Sequence, residues 1–494
     1  MINMINKKLI AIFLAAIVLI SPLISACGEK ADTPAPGQQT EDPASAETTE
    51  EAETEIPDSL PEKDYGGYVF RELMTTDTET INTYIPEEEN GEVLNDAIYR
   101  RNQQVSERFN VEFQVVPGGA GLDKLNGLAK KAIMAGSDDF DISFEHVIYG
   151  PNSTLEGLYM NLFDLPYLDF SKPWWPANTV DELSLNGKIF LGSGNIAPTA
   201  IDGSKVIVVN KDKVVDLGME VPYQKTLDGL WTMDALIGMT AGVYDDLNGN
   251  GERDFEDFYG YTTQPHQNGF IVSCDCSVLK KTDGGGLEID AYGEKMVWLV
   301  ETLYDWYYES GDCWITSTDQ KNPESFINSF NQGHSLFSFA KIDNVRIIFR
   351  YGDINYGILP LPKADEKQDT YRTFAHDTFM CVPVTTTDVE RTSVIVEALS
   401  AEGYKQVTPV FYEIVLKEKL AYDAETIKML EIINDTRAIS FAYVYDNWEG
   451  YGHLFSAIFS WDKKGKRDYT SFYESRLKSA EKRAAKIVAG FADG

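Results

Sequence analysis

From Tyr65 onward the chain switches between two hydrophobic periods. "GYVFRELM" and "VEFQVV" carry apolar residues in short runs or at alternate positions, which predicts strands. "NGEVLNDAIYRRNQQVSERFN" sets Leu94, Ile98, Val105 and Phe109 on one helical face. "LDKLNGLAKKAIMAG" predicts a second helix and "FDISFEH" a third strand. This βαβαβ order predicts a parallel sheet with helices on its faces. A second alternating block begins at "SKVIVVNKD" and runs past "SLFSFAKI" and "NYGILPLP". "TTTDVERTSVIVEALSAEG" predicts a helix opened by a capping box from Thr387 to Glu390. The chain closes on the basic, Ala-rich "YESRLKSAEKRAAKIVAGF". Three segments mixing strand character with polar and aromatic residues lie between the blocks: "IFLGSGNIAPTAIDGSKVIVV", "YRTFAHDTFMCVPVTT" and "RAISFAYVYDNWEGYGH". They predict a chain that crosses between two lobes three times, and about 430 residues is too long for one core. Such a cleft closes by hinge bending.

The N-terminus changes the picture. Lys7 and Lys8 precede the apolar run Leu9–Ile20, too short for a membrane span of about twenty residues, and the run ends "LISAC". Residues 1–26 read as a secretory signal peptide. The last four letters resemble a bacterial lipobox, which implies that Cys27 becomes the mature N-terminus and carries lipid: a diacylglyceryl thioether and an amide-linked acyl chain of the palmitate kind. Residues 27–62 hold no aromatic residue and are rich in Pro, Thr, Ala and Glu, the composition of a disordered acidic tether. The remaining 63–494 is then the folded domain, with lobe 1 near 63–198 and 378–438 and lobe 2 near 203–374 and 440–494.

Charge and motifs exclude several functions. With 43 Lys and Arg against 78 Asp and Glu, the chain is not built to neutralise nucleic-acid phosphates or anionic lipid headgroups. "LGSGNIA" has the spacing of a dinucleotide loop, but Pro198 and the next strand follow at once and leave no room for a crossover helix. No carboxylate pair is marked as catalytic, the five histidines (146, 266, 334, 376, 453) are scattered, and no enzyme is expected. Cys274, Cys276, Cys313 and Cys381 lack zinc spacing, and disulfide and free-thiol states both stay open.

Two motifs point to ligands. "KPWWP" with Trp174 and Trp175, and "YVYDNWEGYGH" with Tyr443, Tyr445, Trp448 and Tyr451, mix aromatics with polar residues as a sugar's apolar faces and hydroxyl rim require. By contrast, Trp298 and Trp306 in "MVWLVETLYDWYY" sit in a helical apolar pattern and read as core. "DLNGNGERDFED" places Asp246, Asn248 and Asn250 at positions 1, 3 and 5 of a calcium loop. Gly251 stands at 6, Glu252 supplies the carbonyl at 7, and Asp254 and Asp257 stand at 9 and 12.

In their order, "LNDAIYRRNQQVSERFNVEF", "DLPYLDFSKPWWP", "LSLNGKIFLGSGN", "PYQKTLDGLWTMDALIGMT", "ERTSVIVEALSAEGYKQVTPVFYE" and "SFYESRLKSAEKRAAKIV" resemble the extracellular solute-binding proteins, family 1, of bacterial ABC importers. The likeness is to their large clostridial-type lipoprotein branch. It implies an α/β, bilobal periplasmic-binding-protein-like fold (type II) with a ligand cleft between lobes. It further implies a monomer on the extracytoplasmic face of the cell membrane that hands a mono- or oligosaccharide to permease subunits. A sugar-sensing or peptide-binding subunit of a signalling receptor is the alternative. Matched place by place, the resemblance implies ligand contacts at Glu145, His146, Tyr149, Asp202, Lys341, His376, Asp377, Tyr445 and Trp448, with Trp448 the stacking platform. It implies a structural calcium in the Asp246 loop, with Glu256 or Asp257 completing the shell.

Overall fold

The computed structural model describes residues 56–76, 83–197, 202–316, 325–375, 378–412, 423–460 and 464–493. Cys27, His376 and Asp377 lie outside them, as do the signal peptide and most of the tether.

Strands β1 (Tyr68–Met74), β2 (Val111–Pro117) and β3 (Ile142–His146) alternate with helices α1 (Val93–Phe109) and α2 (Leu122–Met134). β1 pairs in parallel with both β2 and β3, and a much later strand, β13 (Thr378–Cys381), adds antiparallel to β3. Helix α1 is capped by the Glu92 side chain on the Asn95 N–H and ends at Asn110 in the left-handed region, φ 51°. Its Ile98, Val105 and Phe109 are buried, while Leu94, one turn out, packs against a cluster built on the second sheet.

The second sheet contains β4 (Lys205–Asn210), β6 (Phe258–Thr263), β10 (Ser335–Lys341) and β11 (Tyr356–Pro360), with short β5 (Tyr244–Asp245) and β9 (Cys313–Ile315) at its β6 side. β4 runs antiparallel to both β10 and β11. Its Ile207 and Val209 pack with Trp231 and Phe337, while Val206 and Val208 pack with Phe330 and Ile358. Both faces are covered, which is why "KVIVV" shows no polar alternation. A hairpin of β7 (Leu279–Lys281) and β8 (Leu287–Ile289) and a ribbon of β12 (Thr373–Phe374) with β14 (Arg437–Ala438) complete the strands.

The three expected crossings lie side by side. Gly192 and Met380 exchange both backbone hydrogen bonds at 2.8 and 2.9 Å, Ser204 bridges Ala375, and β12 pairs with β14. Late elements do not follow the expected lobe limits. Leu430 and Ile433 pack on the second sheet, whereas Phe441, Val444 and Tyr445 pack into the first core. The last helix, Tyr469–Asp493, buries Tyr469 and Phe472 in the second core and Ile487 and Phe491 in the first.

Helix α3 (Val389–Glu402) corrects two expectations. Its N-cap is Asp388, whose carboxylate accepts the Arg391 N–H at 2.9 Å, while the Thr387 hydroxyl donates to Asp138 instead of closing a capping box. The carboxylate is the stronger acceptor and takes the orphan donor. Deeper in α3, Glu397 is fully buried and accepts the indole N–H groups of Trp174 at 2.8 Å and Trp175 at 2.9 Å. The "WW" pair therefore belongs to the core, because a buried carboxylate needs donors and the indoles supply two. Trp306 is buried and stacked on Tyr261 at 4.4 Å, and Trp298 is half-buried against the same core.

Burial raises the Glu397 pKa to about 7, so folding favours its protonated form between the usual carboxylate range and that value. The stability of the native chain relative to Glu397→Gln is expected to grow as pH falls from about 7.5 towards 5, because only the carboxylate takes up a proton on folding. Glu397→Leu strands both indole donors and is expected to cost about 2–4 kcal/mol in urea unfolding. A difference that does not change with pH would contradict the titration.

Candidate functional site

Parallel strands of both sheets aim their carboxyl ends at the crossings, where open α/β sheets bind ligands. β3 ends at His146, which is in register with Thr378 at the start of β13. On the second sheet β10 ends at Lys341, in register with Lys205 at the start of β4, and β6 ends at Thr263. Beyond that edge lies a cavity of about 260 Å³. Lys205, Lys341, Gln264, His266, Gln267, Asn268 and Asn344 line it, with Phe374 and Tyr443 from the second and third crossings.

The third crossing builds the aromatic wall. The Asp446 carboxylate accepts the backbone N–H groups of Tyr451 at 2.6 Å and Gly452 at 3.0 Å and so folds residues 446–452 into a tight turn. Gly450 is required there, since a Cβ would stand 1.9 Å from Asp446 Oδ1. Asn447 sits at φ 54°, donates its amide to the Ile148 carbonyl beyond β3, and accepts the Trp448 N–H at 2.8 Å. The turn stacks Trp448 on His453 at 4.6 Å and His453 on Tyr443 at 4.1 Å, and Tyr443 meets Phe374 edge-on at 4.9 Å. Trp448 is 46% exposed, His453 beneath it is buried, Tyr443 is half-buried and Phe374 is buried. From the last helix, Arg483, 2% exposed, donates to the Tyr445 carbonyl and to Asn152.

The expected contact residues fall into distinct places. His146 stands at the end of β3 and accepts the Ile148 N–H on Nδ1 at 3.3 Å; burial first, then the charges of Lys205 and Lys341, lower its pKa to about 4, so it is neutral at pH 7. Tyr149 is exposed beside it, ring to ring at 6.3 Å. Lys341 lines the cavity and pairs with Asp343. Asp202 is buried and paired with Arg346 at 2.7 Å. Glu145 is turned inward, bonded by the Tyr159 hydroxyl at 2.5 Å and the Asn126 amide at 3.0 Å, with its pKa raised by burial. Tyr445 is fully buried against Phe441 and Phe491 and offers no face to the cavity. Strand alternation explains Glu145, since the residue before His146 must point to the opposite face. Sequence reasoning passed over Lys205, His453 and the cavity amides. The one signal for His453 is its place in the same aromatic segment as Trp448.

The acidic loop keeps the turn expected of it, with Gly249 and Gly251 at φ 70° and 77°. The Asp246 carboxylate accepts both glycine N–H groups at 2.7 and 2.8 Å. Asp254 gathers the Asn248 and Asn250 amides, and Glu256 shares the former at 3.2 Å. Asp257 is turned inward onto Tyr244 at 2.9 Å, and its other oxygen is buried without a partner. Arg253, unusual for such a loop, folds back over the Tyr244 ring at 3.9 Å and donates to Gly311. These oxygens suit a hard cation in kind, although among the described residues no three carboxylate, imidazole or thiolate groups converge as a ready metal cluster. The four cysteines are free, Cys274 and Cys381 buried.

No family model and no curated protein matches the chain. Solved structures do. The Bifidobacterium longum galacto-N-biose/lacto-N-biose I-binding protein of an ABC transporter, in complex with lacto-N-biose, matches at TM-score 0.56 and 12% identity over 87% of this chain and 99% of its own. A cyclo/maltodextrin-binding protein complexed with maltotetraose matches at 0.55 and 14%, over 87% and 97%. A Thermotoga lettingae ABC-transporter solute-binding protein bound with α-D-tagatose matches at 0.53 and 12%, over 85% and 99%. At this identity the likeness shows the fold: two α/β lobes of the periplasmic-binding-protein type joined by hinge crossings.

Because Trp448 is half in solvent while His453 is 3% exposed, the two should separate in mutagenesis. Trp448→Ala is expected to change unfolding free energy by less than about 1 kcal/mol, and His453→Ala by about 2 kcal/mol or more. Equal costs in urea melts would mean that the stack is structural throughout.

Proposed function

We propose that the chain is a membrane-anchored, extracytoplasmic receptor of an ABC importer that captures a mono- or oligosaccharide between its lobes and delivers it to permease subunits. The observation that carries this reading is the ring series from exposed Trp448 through His453 to Tyr443, whose Tyr443 end lines a cavity walled by four side-chain amides at the carboxyl edge of the second sheet. A pyranose needs a flat apolar platform and hydrogen-bonding partners for its rim, and this wall offers both. Sugar-bound proteins of the same fold support the assignment. Capture requires no bond chemistry. Closure is driven by contacts that the ligand makes only when the lobes meet, and those contacts set the population shift. The anchor rests on the lipobox-like "LISAC" with Cys27, and the tether is shorter than the expected 27–62, because Asp58 pairs with Arg108 and Leu60 packs against the first core. The alternative, a sugar-sensing subunit of a signalling receptor, would use the same cleft with no permease.

The test is thermal melting of the full-length chain against mono- and oligosaccharides at millimolar concentration. A ligand at a hundred times its dissociation constant adds about 2.7 kcal/mol, and a shift confined to related glycans is the expected result. Trp448→Ala should then weaken that ligand by about 2 kcal/mol, roughly thirtyfold, and a loss under about twofold would remove Trp448 from the site. A panel with no shift at all would overturn saccharide capture.

We also propose that Asp246, Asn248, Asn250, Glu252, Asp254 and either Glu256 or Asp257 bind one calcium ion as a clip on this surface turn. Millimolar calcium is expected to raise the melting temperature reversibly against chelator, with Asp254→Asn abolishing the effect. No calcium-dependent shift would reject the clip.

A further inference from the structure

A groove of about 640 Å³ runs along the helix Glu294–Tyr304 and shares no residue with the cavity at the carboxyl edge of the second sheet. Glu294, Trp298, Glu301 and Asp305 line it at helical spacing, so they form one stripe about 16 Å long at 1.5 Å per residue. Tyr292 and Arg467 complete its walls.

The indole sets this groove apart. Trp174, Trp175, Trp231 and Trp306 are buried, and each gives its N–H to a protein acceptor. Trp298 is half-buried, packs one side on the second core and lines the groove with the other. Its N–H has no acceptor among the described residues, as is also true of Trp448. Tyr292 is 45% exposed and held in place, stacked on Tyr473 at 4.8 Å with its hydroxyl 3.1 Å from that of Thr470.

The charges on the rim are settled within the protein. Arg467 grips Asp305 through two hydrogen bonds at 2.9 and 3.0 Å and stands 3.5 Å from Glu301. Glu294 lies in the first turn of the helix, where the dipole favours a carboxylate. No ionic ligand is needed to balance them, yet their oxygens keep lone pairs for hydroxyl donors. A flat apolar face bordered by such acceptors suits a neutral sugar, and the stripe is longer than one pyranose ring.

Resting on the reading of the chain as a saccharide receptor, we propose that this groove is a second saccharide site, which holds a neutral oligo- or polysaccharide along the second lobe. One ring lies on Trp298, a linked ring meets Tyr292, and hydroxyls donate to Glu294 and Glu301. The elements that wall the groove all pack into the second core, so the site works without hinge closure. It keeps polymer beside the receptor without filling the cleft.

The test is affinity electrophoresis of the full-length chain through native gels containing arabinoxylan, galactomannan, mixed-linkage β-glucan or amylopectin, run beside the melting series with small glycans. At least one polysaccharide is expected to retard the chain. Trp298→Ala is expected to weaken that binding about tenfold or more, and Trp448→Ala to leave it in place. Glu301→Ala alters only a half-exposed rim group and should weaken it about threefold, an independent reading should Trp298→Ala fold poorly. Retardation lost in Trp448→Ala but kept in Trp298→Ala puts the polymer in the cleft, which overturns the groove and leaves saccharide capture standing. No retardation alongside a melting shift from small glycans has the same meaning. Neither retardation nor shift overturns both.

Discussion

Two backbone hydrogen bonds between Gly192 and Met380, and the pairing of Thr373–Phe374 with Arg437–Ala438, hold three distant chain segments side by side. The geometry of the junction depends on that pairing. It brings His146, at the end of one sheet, within the electrostatic reach of Lys205 and Lys341 at the edge of the other. It also sets Phe374 and Tyr443, from different crossings, edge to face. A hinge of paired backbone can bend without losing its register, because its hydrogen bonds lie in the backbone and not in side chains that must repack.

Buried acids recur through this acidic chain, each in a structural task. Glu397 fastens two tryptophans, Glu145 ties β3 to Tyr159 and Asn126, and Asp446 shapes the turn beneath Trp448. Burial raises the pKa of all three, and backbone or side-chain donors offset part of that shift. Withdrawing these groups inward leaves polar contacts at the cavity to amides and lysines.

The strands and amphipathic helices were legible because burial on one or two faces writes its period into the sequence. "KVIVV" reads as a strand without showing that both its faces are covered, and Ile98, Val105 and Phe109 read as one helix face. The crossings were legible from their mixed composition. Side-chain fate was less so. Nothing local to "WW" shows that its indoles meet a carboxylate 222 and 223 positions away, so the pair looked like a ligand platform and is core. Tyr445 and Trp448, three residues apart, face opposite ways because an Asp446 turn, invisible to any helical or strand period, lies between them. The cavity amides carry no signal in the sequence, because Gln and Asn after a strand are ordinary loop residues until the fold gathers them.

The last helix reaches into both cores, with Tyr469 and Phe472 at one end and Ile487 and Phe491 at the other. The first sheet likewise waits for β13, which pairs Thr378–Cys381 with residues made more than two hundred positions earlier. These contacts of very large sequence separation place the loop-closure cost ahead of the reward, which slows folding. A nascent chain without this helix lacks part of both cores' lining. The helix Tyr469–Asp493 must therefore be made before either half of this molecule can complete its interior.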